Sequence, residues 1–420
     1  VHVGPFDVRI TALTGHSDLG KLACLVKPVS GISTATGENR PTPPMPVQAR
    51  NLTLKVPKYI PAGMVAFIKT RITRIHDKNS SREKTMINLK TLAIAATAVA
   101  FAGEAMATEW NVSVWGKRRA FTEHVEKLAE LVSAKTNGEF TLNISYGGLS
   151  KNRENLDGIS IGAFEMAQFC AGYHRDKNPT ITVLELPFLG VNTLAEEVAV
   201  SHAVYAHPAT QKDLARWNAK LLMTSPMPQY NIVGTGEPRD TLAKFEGMRV
   251  RATGGIGQAF RAVGGVPTSV TATEAYNAME SGVVDTVAFA QHAHLAFRTI
   301  DIATWWTENL NPGTVNCPVV VNIDAYNDLP DDQRAALDGS IDEAIAYYLE
   351  NYGKLLAKWD AVLAEKNVTK VSIPQVEIDA FKIRAADPIR EQWIADMTAQ
   401  GLPAQELYDL VMTTLADARK

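Results

Sequence analysis

The chain has 420 residues, 46% of them hydrophobic and 21% charged, with 42 Lys+Arg against 45 Asp+Glu for a net charge of −3. That total hides a split: residues 1–107 carry 14 basic and 6 acidic residues, whereas 108–420 carry 28 basic and 39 acidic, a net of −11. An acidic body of 313 residues is long enough for two α/β lobes and lacks the basic face that nucleic-acid binding needs.

Residues 1–85 show no sustained apolar period, and Pro41, Pro43, Pro44 and Pro46 crowd one stretch. They read as an extension outside the mature protein, mis-annotated or disordered, and take no part in the expected fold. Met86–Ala107 reads as a secretory signal peptide. Met86-Ile-Asn-Leu-Lys90 is a short basic start, Thr91–Gly103 an apolar run and Ala105-Met106-Ala107 an A-x-A cleavage site. This order predicts export to the periplasm, with a mature chain from Thr108. A buried Ala-rich helix is the other reading of the same run.

Past that point strand and helix patterns alternate, which predicts helices over mostly parallel sheets. Trp110–Trp115 reads as a strand. Phe121, Val125, Leu128 and Val132 recur at helical spacing up to a stop at Asn137-Gly138. Phe140–Ile144 alternates as a half-buried strand, Asn152–Ile161 reads as a helix and Phe164–Cys170 as a strand. A second α/β block begins near Tyr230. Met248–Ala252 is a strand, Gln258–Val263 a helix, Glu274–Ser281 a helix, and Val283–Ala290 and Pro318–Ile323 are strands. After Asp331-Asp332, an apolar face from Leu337 through Ile345, Tyr352 and Trp359 to Leu363 predicts one helix of about 30 residues, roughly 45 Å long. That length spans two lobes.

Catalytic signatures are missing: the G-x-S-x-G match at Gly158-Ile159-Ser160-Ile161-Gly162 falls at the end of the helix expected over Asn152–Ile161 and not on a strand-to-helix elbow, and the chain has no Walker A sequence and no H-E-x-x-H. Binding rather than catalysis is expected, with no cofactor. His292-Ala-His294 places two imidazoles together, but zinc needs three or four ligands, so no metal is expected and these histidines read as solvated or cleft-edge. Cys170 and Cys317 read as two half-buried thiols, with a single disulfide as the alternative for an exported chain. The strongest chemical signal is Met248-Arg249-Val250-Arg251-Ala252-Thr253-Gly254-Gly255. Arg251 lies near the carboxyl end of its strand, where α/β folds bind ligands. The Gly-rich turn after it offers N–H groups at a helix N-terminus, and a guanidinium offers two parallel donors that match a carboxylate. Salt-bridge duty at the surface is the alternative for both arginines.

Residues 245–285 also carry a family likeness. Phe245-Glu-Gly-Met-Arg-Val-Arg251, Gly264-Gly-Val-Pro-Thr268, Glu274-Ala-Tyr-Asn-Ala-Met279 and Gly282-Val-Val-Asp285 resemble the DctP-type extracytoplasmic solute receptors of tripartite ATP-independent periplasmic (TRAP) transporters. Gly147-Gly148-Leu149-Ser150 and Leu184-Glu-Leu-Pro187-Phe188 are similar to further stretches of that family, and the likeness runs from Trp110 onward. It implies an α/β fold of periplasmic-binding-protein type, with two lobes, a cleft between them and a long helix crossing both. Lobe I would comprise 108–229 plus about 317–345 and lobe II 230–316 plus about 346–420. It further implies a monomer that closes over a small organic acid and hands it to the small and large membrane subunits of a TRAP permease.

In that family an arginine at the position of Arg251 pairs with the ligand carboxylate. Two departures shape the expected pocket. Pro228-Gln229-Tyr230-Asn231 replaces a frequent second arginine, and Phe289 stands where an asparagine is common. The expected ligand-binding set is Arg251, Trp115, Phe169, Gln229, Tyr230, Phe289 and Asn316: one cation, aromatic walls and a few amides. That suits a monocarboxylate with an apolar, aromatic or hydroxylated tail. An exported hydrolase or isomerase using the same cleft, and a receptor for an ABC importer, remain as alternatives.

Overall fold

The computed structural model describes residues 107–420; the extension and, but for Ala107, the expected signal peptide lie outside the described residues. β1 (Thr108–Val114) leads through a 3-10 turn at Ala120–Thr122 into α1 (Glu123–Lys135), then β2 (Phe140–Tyr146), α2 (Asn155–Ser160) and β3 (Met166–Gln168). A 3-10 segment at Pro179–Glu185 precedes α3 (Leu194–Ala206), α4 (Pro208–Ala215) and β4 (Ala219–Thr224). β5 (Asn231–Gly234), β6 (Arg249–Arg251), α5 (Gly254–Ala262), β7 (Val266–Thr268), α6 (Ala275–Glu280), β8 (Thr286–Phe289), α7 (Gln291–Ala296) and β9 (Trp305–Thr307) follow. Then come β10 (Pro318–Asn322), α8 (Ile323–Asp328), α9 (Asp331–Asp338), α10 (Ile341–Ala357), α11 (Trp359–Glu365), β11 (Thr369–Val371), α12 (Gln375–Ala399) and α13 (Ala404–Asp417).

Local chemistry sets these boundaries. α1 stops where Asn137 (φ 51°) and Gly138 (φ 82°) turn left-handed, the conformation that ends helices. α3 starts on a capping box: Thr193 Oγ1 accepts from the Glu196 N–H at 3.1 Å, and Glu196 Oε2 accepts from the Thr193 N–H at 3.2 Å.

The strands form two sheets, ordered β2-β1-β3-β10-β4 and β11-β9-β5-β8-β6-β7. Both are mostly parallel, as expected, with one strand in each running against the rest. β10 runs antiparallel to β3 and β4, and β5 antiparallel to β8 and β9. β5 and β10 are the strands that arrive from the other sheet, so they enter against the local direction. β10 is buried along its whole length. Val319 and Val321 face the core beneath α1, while Val320 faces the core beneath α3 and α13, so its apolar run serves both faces.

Segments 225–230 and 308–317 and helices α10 and α12 connect the two sheets. The helix expected across 331–363 divides into α9, α10 and α11. Its first break falls at Gly339-Ser340, a poor helix former followed by a serine whose Oγ bonds back to Ala336 O at 2.6 Å. The second falls at Lys358, just ahead of the buried Trp359. α10 still bridges the lobes: Tyr348 Oη donates to Pro226 O at 2.7 Å, and Tyr352 meets His292 of the second lobe. α12, 25 residues long, runs from Phe381 in the core of the second sheet to Trp393 in a core of the first. The segment 346–420, expected in lobe II, therefore divides: β11 joins the second sheet, and α13 packs on α3.

Candidate functional site

A cavity lies where the two sheets face each other. The first lobe contributes Trp115, Phe121, Gly172 and Tyr173, and the crossings Met227, Tyr230, Val315 and the Cys170–Cys317 pair. The second lobe contributes Arg251, Thr253, Ala272, Phe289, His292 and Ala293. Room for water-sized occupants is about 20 Å³, enough for one or two waters. An organic ligand is admitted only when these walls part.

Arg251 ends β6 and is 2% exposed. Its Nε donates to Val270 O at 2.9 Å, Nη1 to Ala288 O at 3.2 Å and Nη2 to Tyr173 Oη at 2.9 Å. Its guanidinium lies 4.3 Å from the Phe289 ring centroid. Three of the five guanidinium N–H groups are thus spent, leaving one on each terminal nitrogen. No carboxylate pairs with it among the described residues, whereas Arg249, two residues earlier, pairs at the surface with Asp285. The Tyr173 hydroxyl also accepts from the Ala272 N–H at 3.0 Å. Its own proton is therefore left to donate elsewhere. Because Tyr173 belongs to the first lobe and Arg251 to the second, this contact ties the lobes together beside the cavity.

Trp115 leaves β1 with its ring stacked on Phe297 at 6.1 Å, and its buried Nε1 has no partner. Four residues on, Arg119 is 8% exposed and sits against Trp115, Phe121 and Phe297, at 4.2, 4.8 and 5.3 Å from their ring centroids. Nη1 donates to Trp115 O at 3.0 Å and Lys117 O at 2.6 Å, while Nε and Nη2 have no partner. Burial pulls its guanidinium down to about 9, which still leaves it charged at neutral pH. Arg119 is thus a second buried cation, set against the lining rings Trp115 and Phe121 and not itself part of the cavity wall. In sequence Arg119 closes the run Lys117-Arg118-Arg119, which has the look of a solvated basic patch; no local pattern marks it apart.

The two histidines are buried, not solvated. His292 stacks on Phe121 at 5.3 Å and shares a hydrogen bond through Nδ1 with the Tyr352 hydroxyl. His294 bonds through Nδ1 to Thr299 Oγ1 at 2.8 Å. Burial drives His292 well below its ordinary pKa and His294 to about 3, so both rings are neutral.

Of the seven expected ligand residues, Arg251, Trp115, Tyr230 and Phe289 line the cavity, and three do not. Phe169 packs edge-on to His174 at 5.4 Å inside the first-lobe core. Gln229 Nε2 donates to Val191 O at 2.7 Å. Asn316 turns into a buried network, donating from Nδ2 to Ser201 Oγ at 3.0 Å and accepting at Oδ1 from Tyr205 Oη at 2.6 Å. Each of the three is next in sequence to a cavity residue: Cys170, Tyr230 and Cys317. In extended chain neighbouring side chains face opposite ways. Cys170 and Cys317 are joined in a disulfide, which replaces the expectation of two thiols.

The Gly-rich turn also departs from its expected anion role. Glu185 of the first lobe already faces it. A Cβ at Gly254 would crowd Glu185 Oε2, and one at Gly255 would fall far inside 3.0 Å of Glu185 O. These glycines let the backbones of the two lobes approach.

Similar proteins share this architecture. The protein named outer membrane transporter protein TsaT of Comamonas testosteroni is 22% identical over 300 residues, 70% of this chain and 87% of its own. A marine-metagenome TRAP solute binding protein specific for aromatic acid ligands, solved with 3-hydroxybenzoate, superposes with a TM-score of 0.68 at 19% identity, covering 75% of this chain and all of that one. DctP7 of Bordetella pertussis, an extracytoplasmic solute receptor binding pyroglutamic acid, gives a TM-score of 0.63 at 21% identity over 75% of this chain and all of its own. With the family described as "Bacterial extracellular solute-binding protein, family 7" (DctP) matched across residues 112–396, the chain belongs to that family.

Proposed function

We propose that this receptor captures a small organic acid in the cleft, pairs its carboxylate with Arg251 and delivers it to the small and large subunits of a TRAP permease. The observation that carries the reading is Arg251 itself: a buried guanidinium with two unspent donors at the wall of an aromatic-lined cavity. A carboxylate there gains charge-assisted, bidentate hydrogen bonds that strengthen once closure excludes water. Trp115, Tyr173, Tyr230 and Phe289 offer flat faces to an apolar or aromatic body. The ligand touches both lobes only when they are closed, so binding shifts the population toward closure. The printed ligands of the two solved relatives, 3-hydroxybenzoate and pyroglutamic acid, are small ring acids and are consistent with such a site. Export through Met86–Ala107 and action as a monomer belong to the same reading.

The test is calorimetry on protein beginning at Thr108, after a thermal-shift screen of carboxylic acids to choose the ligand. Arg251→Ala is expected to weaken the best acid at least about 100-fold, the scale of a lost charge-assisted pair, with the melting profile still cooperative. Unchanged affinity in that variant overturns the assignment. A ligand recovered chemically altered after incubation would instead favour the exported enzyme.

A further inference from the structure

We propose that Arg119 is a second anion anchor, and that the ligand is a flat organic anion with a charged acceptor group at each end. This deepens, and rests on, the reading of the cleft as a carboxylate site.

The uncommitted edge of Arg119 is Nε with Nη2, whose N–H groups make the side-on fork that fits two oxygens of a carboxylate or sulfonate. A guanidinium more than nine-tenths buried with three unmatched N–H groups is costly unless something satisfies it. Neither Arg119 nor Arg251 has an ion-pair partner among the described residues, so one buried cation in the cavity wall and another against its lining rings Trp115 and Phe121 lack a counter-anion. A buried carboxyl does lie close by. Glu185 stands behind Gly172, pairs with neither arginine, and is pushed up to about 7 chiefly by its own burial. It does not balance the two charges.

The placement of the pair suggests the shape of what would balance them. Arg251 lies over Phe289, Phe289 and Phe297 are 5.9 Å apart, and Arg119 lies at 5.3 Å from Phe297. The guanidiniums therefore sit at the two ends of a chain of neighbouring rings, Phe289 and Phe297, with Trp115 and Tyr173, 6.1 Å apart, making another. Unspent donors near these walls include Trp115 Nε1 and the Tyr173 proton besides the two guanidinium edges. Donors and flat faces between two cations select an acceptor-rich ring carrying two anionic groups. A ring with one carboxylate leaves Arg119 unmatched.

The experiment is calorimetry with benzoate, benzene-1,3-dicarboxylate and benzene-1,4-dicarboxylate on the wild type, Arg119→Met, Arg119→Lys and Arg251→Ala. One dicarboxylate is expected to bind the wild type at least about tenfold tighter than benzoate. In Arg119→Met that advantage shrinks below about twofold while benzoate is little changed. Arg119→Lys, which keeps charge and stem but not the fork, recovers part of it and stands in if the Met variant fails to fold. Arg251→Ala weakens all three. Benzoate binding as tightly as both dicarboxylates, or an advantage that survives in both Arg119 variants, overturns the proposal and leaves the carboxylate site standing. The same holds if other monocarboxylates bind and these dicarboxylates do not. Failure of every carboxylate overturns both readings.

Discussion

Glu185 offers a sharp test of how the lobes meet. It ends the 3-10 segment that packs on the first sheet, yet its carboxyl rests against the start of α5 in the second lobe. Oε1 accepts from the Asn316 N–H at 3.3 Å, and Oε2 has no partner. Burial, opposed by the charge of Arg175 and by the N–H groups of Asn316 and Gly172, raises the acid from 4.5 to about 7. Between those two values the folded chain keeps a proton that the unfolded chain has lost. Stability is therefore full below pH 4.5 and falls as pH rises to 7. At about 1.4 kcal/mol per pH unit over that window, the loss is about 3 kcal/mol. Glu185→Gln removes the titration. Urea melts of both proteins at pH 5 and pH 8 should show the variant gaining about 2 to 3 kcal/mol relative to wild type across that range. Any constant cost of turning an amide NH₂ toward the Gly172 N–H cancels in this difference. Glu197, raised to about 8 chiefly by its own burial, titrates in both proteins. A difference between variant and wild type that does not change with pH would refute the claim that this carboxyl is sealed between the lobes.

Three further outcomes follow from the same geometry. Replacing both Cys170 and Cys317 by Ser opens a loop with a sequence separation of 147 residues and should lower stability by about 5 kcal/mol on chain entropy, read from the urea midpoint; a shift under about 1 kcal/mol would contradict it. Gly255→Ala sets a methyl against Glu185 O and should hold the lobes apart. It should weaken the best acid at least about tenfold and leave a larger radius of gyration by X-ray scattering in the presence of ligand; wild-type affinity would show that the lobes close without this contact. His124, His174 and His294 are neutral by burial, at about 3, about 4 and about 3. The unfolded chain gains protons below pH 6.5 that the folded one refuses, so in the Glu185→Gln background the melting temperature should fall steadily from pH 6.5 to pH 4, and a flat profile would place these rings in water.

Where chemistry and regular period coincide, sequence and structure agree. The stop at Asn137-Gly138 needs only two residues that tolerate positive φ. Arg251 is marked by a short apolar strand, a Gly-rich turn and a cation at the strand's carboxyl end. The site residues that went astray all lie within two residues of a strand end, where the pattern is too short to set its phase. β3 has three residues, and a shift of one exchanges cavity for core. Phe169, Gln229 and Asn316 carry side chains that suit a ligand, but their neighbours face it. Arg119 escaped for a different reason: besides its neighbours Trp115 and Phe121 it packs on Phe297, 178 positions away in the chain and in the other lobe, a contact no local window contains. The disulfide would have settled two of these three positions. Cys170 and Cys317 face each other across the β3–β10 edge, where the Phe169 N–H donates to Pro318 O and the Ala171 N–H to Asn316 O. Once those two side chains are joined on the cavity face, Phe169 and Asn316 must point the other way. The pairing of two cysteines thus carries more information about the pocket than the chemistry of the residues beside them.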